Sequence, residues 1–93
     1  MSTEPTALFR PDSPYRLSDQ VVLRDEPFGA LAYDLTTRDL VALRDSGLAS
    51  VLAALESYPS VLAAVAALAP DRAAAVLRAL ETLARKGLIR AAD

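Results

Sequence analysis

Between residues 20 and 44 the chain is rich in Val, Leu, Phe and Tyr, in short runs broken at Glu26-Pro27 and again at Thr36-Thr37-Arg38-Asp39. Short apolar runs bounded by turn residues read as strands, and strict alternation along a run marks a strand buried on one face. Three strands are predicted, over residues 20–25, 29–35 and 39–44. Pro27 has no amide proton to give to a ladder, so the chain should turn there. In the second strand Leu31, Tyr33 and Leu35 alternate with Ala30, Ala32 and Asp34, and the larger, more apolar set is expected to face the helices. In the third, Leu40, Ala42 and Arg44 alternate with Val41 and Leu43, which makes a strand partly apolar on both sides at the edge of a meander.

From residue 46 the period lengthens to that of a helix. Leu48, Val51, Leu52 and Leu55 form one broad stripe, with Ser46 as the expected N-cap. Tyr58-Pro59 ends this helix, because proline disfavours helical geometry in the residue before it, and Ser60 can cap a second helix over residues 61–68. Pro70 and Gly87 bracket a third helix, about residues 71–86, in the usual order of proline at the start and glycine past the end. Leu88 and Ile89 then fold back as a hydrophobic closure. Residues 1–14 mix Ser, Thr, Pro and charge and are expected to form a flexible arm, with the isolated Leu8 and Phe9 free to dock. Residues 15–93 form a single domain. The expected fold class is α+β, a three-stranded antiparallel sheet followed by three helices packed on one side.

Composition narrows what such a domain can do. At 93 residues there is room for one core, and 53% hydrophobic against 24% charged residues is ample to build it. There is no His and no Cys. Most nucleophilic, metal and redox chemistry is thereby removed, no cofactor is implied, and an enzyme is a remote reading. Asp19, Asp25, Asp34 and Asp39 lack metal-loop spacing, and three glycines cannot make a phosphate loop. No basic start with an apolar run, and no segment long enough to span a bilayer, is present, so a soluble cytoplasmic protein with no membrane partner is expected. The net charge of −2 is uneven. Residues 71–93 hold Arg72, Arg78, Arg85, Lys86 and Arg90 against Asp71, Glu81 and Asp93, a local +2 that leaves −4 for residues 1–70. That is a weak footprint for duplex DNA, and a mildly acidic peptide suits the last helix better.

Two features could carry function. The edge strand at residues 39–44 can template an extended peptide through main-chain hydrogen bonds; equally it can be an ordinary edge guarded by Asp39, Arg44 and Asp45. On the third helix, Arg78 and Arg85 can flank a groove and attract carboxylates, or they can simply pair with Glu81 along the helix surface. Glu26-Pro27-Phe28-Gly29 reads as a turn rather than a binding loop.

The stretch Leu23-Arg24-Asp25-Glu26-Pro27-Phe28-Gly29-Ala30-Leu31-Ala32-Tyr33-Asp34, followed by Thr37-Arg38 and Tyr58-Pro59-Ser60-Val61, resembles the MftB family of peptide chaperones from the mycofactocin pathway. The resemblance covers about residues 15–90. That family is similar to the PqqD-like precursor-peptide recognition domains, whose winged-helix-like fold has the same strand and helix order. The resemblance implies a non-catalytic, cofactor-free protein that binds the ribosomally made precursor peptide MftA and presents it to the radical S-adenosylmethionine enzyme MftC. It also implies that the peptide joins the sheet as a fourth strand between the third strand and the third helix. On this chain that means Leu40, Val41, Ala42, Leu43 and Arg44 on the strand, and Ala74, Leu77, Arg78, Glu81 and Arg85 on the helix. Two other readings stand beside it: a winged-helix DNA-binding regulator, and a domain that forms a homodimer through the same edge.

Overall fold

The computed structural model describes residues 8–92. In chain order it has β1 (Tyr15–Leu17), β2 (Val21–Glu26), β3 (Gly29–Asp34), β4 (Leu40–Leu43), α1 (Ser46–Ala54), α2 (Val61–Leu68), α3 (Ala73–Arg85) and β5 (Ile89–Ala91). The strands β2, β3 and β4 form an antiparallel meander with β3 at its centre, and the three helices follow, as the chain's pattern requires. A second, two-stranded sheet joins β1 to β5. It was not legible in the sequence beyond the inward fold of Leu88 and Ile89, both of which are buried.

Local chemistry accounts for the element ends. The β2–β3 hairpin closes with Glu26 opposite Gly29, leaving Pro27 and Phe28 as a two-residue turn. Gly29 has φ +144°, and a Cβ there would stand 2.1 Å from the Leu43 carbonyl oxygen, so only glycine lets β3 start against β4. Ser60 caps α2, its hydroxyl accepting from the Ala63 amide at 3.0 Å. The cap of α1 is Asp45 rather than the expected Ser46: its Oδ1 accepts from the Gly47 and Leu48 amides at 2.8 and 3.2 Å. Past α3, Gly87 has φ +80°, its amide donates to the Ala84 carbonyl, and the Leu88 amide donates to the Leu83 carbonyl. This crossed pair of bonds stops the helix and aims Leu88 back into the core.

One expectation is reversed. Leu31, Tyr33 and Leu35 do not face the helices. The inward set of β3 is Ala30, Ala32 and Asp34, which are 2%, 1% and 8% exposed, while Leu35 is 49% exposed. The helices bring the bulk, with Val51, Leu55, Val61, Val76 and Leu80 almost fully buried, so the sheet meets them with small side chains that permit close approach. Asp34 is tolerated inside because its Oδ1 accepts from the Thr36 and Thr37 amides at 2.8 and 3.2 Å, which organises the turn into β4.

The arm expected over residues 1–14 falls in part, at residues 1–7, outside the described residues. Of the remainder, the Pro11 and Ser13 carbonyls accept from the Leu62 and Val61 amides at the start of α2. The Phe9 ring lies 5.1 Å from that of the buried Tyr15, whose hydroxyl accepts from the Arg10 amide.

Candidate functional site

The edge of β4 is built by its register against β3. Ala32 lies opposite Val41 and Ala30 opposite Leu43, and the Asp34 amide donates to the Asp39 carbonyl one step further along the same register. In an antiparallel pair hydrogen-bonded and non-bonded positions alternate, so Val41 and Leu43 spend their amides and carbonyls on β3. The main-chain groups of Leu40, Ala42 and Arg44 therefore point away from the sheet, along its free edge. Side chains alternate as well. Leu43 is buried in the core and Val41 half-buried beneath the sheet, whereas Leu40 and Ala42 lie exposed on the outer face.

Helix α3 runs alongside this edge in the opposite direction, as two contacts establish. At its C-terminal end a cavity of about 190 Å³ is lined by Asp34, Asp39, Leu40, Val41, Lys86 and Leu88. At the other end Arg44, Asp45, Ser46 and Arg72 line a second hollow, where the Arg72 Nε donates to Asp45 Oδ2 at 2.7 Å. Lys86, Leu88 and Arg72 are thus neighbours of the edge that sequence spacing did not single out. They were out of reach because they lie at the ends of α3, whereas periodicity draws attention to its middle.

The helix residues form one stripe. Ala74, Arg78 and Arg85 are exposed, and Leu77 and Glu81 are half-buried. None of these five lines either of the two cavities beside β4. Glu81 and Arg85 pair at 3.1 Å, one helical turn apart. Arg78 makes no ion pair among the described residues, nor do Lys86 and Arg44, and the Arg44 guanidinium instead lies 5.1 Å from the Phe28 ring centre. Among the described residues, then, Lys86 and Arg44 beside the edge and Arg78 on α3 have no carboxylate partner, whereas Arg85 is taken by its own helix.

The junction of β4 with α1 is held by Asp45. Its carboxyl is kept below the usual value by the hydrogen bond from Arg72, with the Leu48 and Gly47 amides adding to this and partial burial opposing it. A depressed folded-state pKa means the stabilisation is complete above the unfolded value and is lost as pH falls through the folded one. Asp45→Ala is expected to cost about 1 kcal/mol at neutral pH, and Asp45→Asn less because it keeps the cap. Urea denaturation at several pH values should show the Asp45→Ala deficit shrinking towards pH 2.

Among the described residues no group of His, Cys, Asp and Glu is placed to hold a metal ion. No helix among them is long and apolar enough to cross a membrane.

Comparison with known proteins supplies the biological frame. The profile of the Peptide chaperone MftB family matches residues 14–90. A peptide chaperone MftB from Mycolicibacterium smegmatis is 37% identical over 83 residues, spanning 87% of this chain and 81% of its own. One from Mycobacterium ulcerans is 41% identical over 78 residues, spanning 82% of this chain and 72% of its own. One from Mycobacterium tuberculosis is 43% identical over 56 residues, spanning 60% of this chain and 51% of its own. No solved structure gives a match.

Proposed function

The chain belongs to the peptide chaperone MftB family, and from that premise we propose that it binds the precursor peptide MftA as a fourth strand on β4 and presents it to the radical S-adenosylmethionine enzyme MftC. The observation that carries this reading is the edge itself: outward main-chain groups at Leu40, Ala42 and Arg44, bordered by cavities lined by Lys86 and Arg72, the residues that flank α3 at its two ends. A guest strand gains affinity from main-chain pairing and selectivity from its alternate side chains. One set of those side chains would fall beneath the sheet beside Val41 and Leu88, and the other beside Leu40 on the outer face.

The groups implied for the site take different roles in this proposal. Leu40, Ala42 and Arg44 pair with the guest. Val41 shapes the cavity, and Leu43 anchors the strand from below. Ala74 and Leu77 leave room along the helix, while Arg78, with Lys86 and Arg44, draws in an acidic guest and raises its association rate more than its affinity. Glu81 holds Arg85. No group here performs chemistry. Held on an enzyme-bound chaperone by one segment, the guest keeps its reactive end free and at high effective concentration for the enzyme.

The test is calorimetric titration with MftA, beside a duplex-DNA control and a mass measurement of the free protein. Submicromolar peptide binding that weakens as salt is raised, with no DNA binding, is the expected outcome. Tight, salt-dependent DNA binding would establish a regulator instead. A stable dimer that ignores the peptide would assign the edge to self-pairing.

A further inference from the structure

The reversal of β3 leaves an apolar surface on the side of the sheet away from the helices. Val22, Tyr33 and Leu40 form one cross-strand row, and Arg24, Leu31 and Ala42 the next. Val22 is 50% and Leu40 60% exposed. Together Val22, Arg24, Leu31, Tyr33 and Leu40 line a shallow hollow of about 400 Å³. We infer that this outer face is where the modifying enzyme docks, and that a bound guest strand completes the docking surface. This rests on the proposed peptide-chaperone function and goes beyond it by assigning the second interface and coupling it to the first.

Size excludes the face standing alone. Strands of four to six residues, at about 3.3 Å per residue and about 4.8 Å between neighbours, give a surface of roughly 20 by 14 Å, on the order of 300 Å². A stable protein interface needs about 800 Å² from each partner, so a second copy placed face to face would bury too little. Part of the missing area, roughly 100 Å² for one further strand, is available beside β4. A guest strand added there extends the same face by one strand and lays its alternate side chains next to Leu40 and Ala42. A partner seated across both surfaces touches chaperone and guest together, and so distinguishes loaded from empty protein. The partner whose role requires contact with the guest is the enzyme that modifies it.

Charge specifies the partner's surface further. Arg24 pairs with Glu26 at 3.0 Å on this face, and Arg44 continues the outward alternation of β4 at the guest side, without an ion pair among the described residues. The rim is therefore net positive, which suits an apolar patch with an acidic border on the enzyme. Helix α2 packs against α1 and α3, and its exposed apolar side at Leu62 is not part of the sheet face that a guest would extend, so it serves as the control surface.

The experiment measures binding of the intact radical S-adenosylmethionine enzyme to this protein, empty and loaded with precursor peptide, for wild type, Val22→Glu, Arg24→Glu and Leu62→Glu. Wild type loaded with peptide should bind the enzyme about tenfold more tightly than when empty, and by reciprocity the enzyme should tighten peptide binding by the same factor. Val22→Glu, separated from the guest by β3 and β4, should leave peptide affinity unchanged and weaken enzyme binding at least about tenfold, as expected for a charge placed in the apolar centre of an interface. Arg24→Glu, fully compatible with folding because its side chain is 78% exposed, should weaken enzyme binding severalfold, most at low salt. Leu62→Glu should change neither. Wild-type enzyme affinity in both Val22→Glu and Arg24→Glu overturns the inference, as does a loss confined to Leu62→Glu, equal enzyme affinity with and without peptide, or a wild-type dimer that Val22→Glu converts to monomer. In each of these cases peptide binding by wild type leaves the chaperone reading standing, whereas failure of wild type to bind peptide removes that reading and this one with it.

Discussion

Ala42→Pro is expected to lower affinity for the precursor peptide by about ten- to a hundredfold while the protein stays folded. The register against β3 puts the Ala42 amide on the free side of the sheet, so proline removes a donor that only a guest would use. One main-chain hydrogen bond contributes about 1 kcal/mol net, and the ring also obstructs the guest carbonyl that would have approached, which together make about 1.5–3 kcal/mol. The fold loses little, because no ladder bond within the sheet is broken and the residue before the proline, Val41, is already extended. Leu43→Pro is the informative contrast. Its amide belongs to the β3–β4 ladder and its side chain to the core, so loss of the native fold is expected. Titration of both variants, with circular dichroism to confirm folding, separates the two edges of one strand. Unchanged peptide affinity in a folded Ala42→Pro protein would remove β4 as the binding site.

Gly29→Ala should destabilise the protein by about 3 kcal/mol, a large share of the roughly 5–14 kcal/mol available to a domain of this size. Two effects coincide there: a backbone at φ +144° that L-residues avoid, and a Cβ placed on the Leu43 carbonyl. Because that obstruction is backbone, no side-chain rotation relieves it, and β4 must shift away from β3. A fall of about 2 M in the urea midpoint is expected, with peptide binding lost in parallel as the edge moves. Gly87 supplies the control. It also has positive φ, at +80°, but an added Cβ would meet nothing within 4 Å. Gly87→Ala should therefore cost only about 1 kcal/mol, the conformational part alone. Equal losses at the two positions would show that the contact with Leu43 is relieved at no cost.

The candidate site was legible in the sequence to different depths. An edge strand at the end of a meander followed from the turn at Thr36-Thr37-Arg38-Asp39 and from the change of period at Ser46, both local features. The implied helix residues share a stripe for the equally local reason that they are spaced by three and four. Lys86, Leu88 and Arg72 were missed as neighbours of β4, since their proximity depends on α3 running back along the strand. Glu81 and Arg85 were rightly seen as able to pair, and their pairing leaves Arg78 and not Arg85 as the cation of that helix without an ion pair among the described residues.

The phase of β3 marks the limit of what alternation can decide. Leu31 and Tyr33 are bulkier than Ala30 and Ala32, and read alone they belong inside. The helices already fill the interior with Val51, Leu55 and Leu80, so the sheet presents its small side chains inward and its large ones outward. That choice creates the apolar outer face.

By itself the sequence determined the α+β order, the hairpin turn at Pro27, the cap at Ser60 and the stop at Gly87, because each depends on residues within a few positions of one another. Through its family signature it also determined the kind of work the domain does. Only the tertiary structure decided which face of β3 is buried, which amides of β4 are free, and that Tyr15–Leu17 pairs with Ile89–Ala91. Those outcomes depend on contacts between segments far apart in the chain, where packing volume and hydrogen-bond parity are settled jointly and no local pattern records the result.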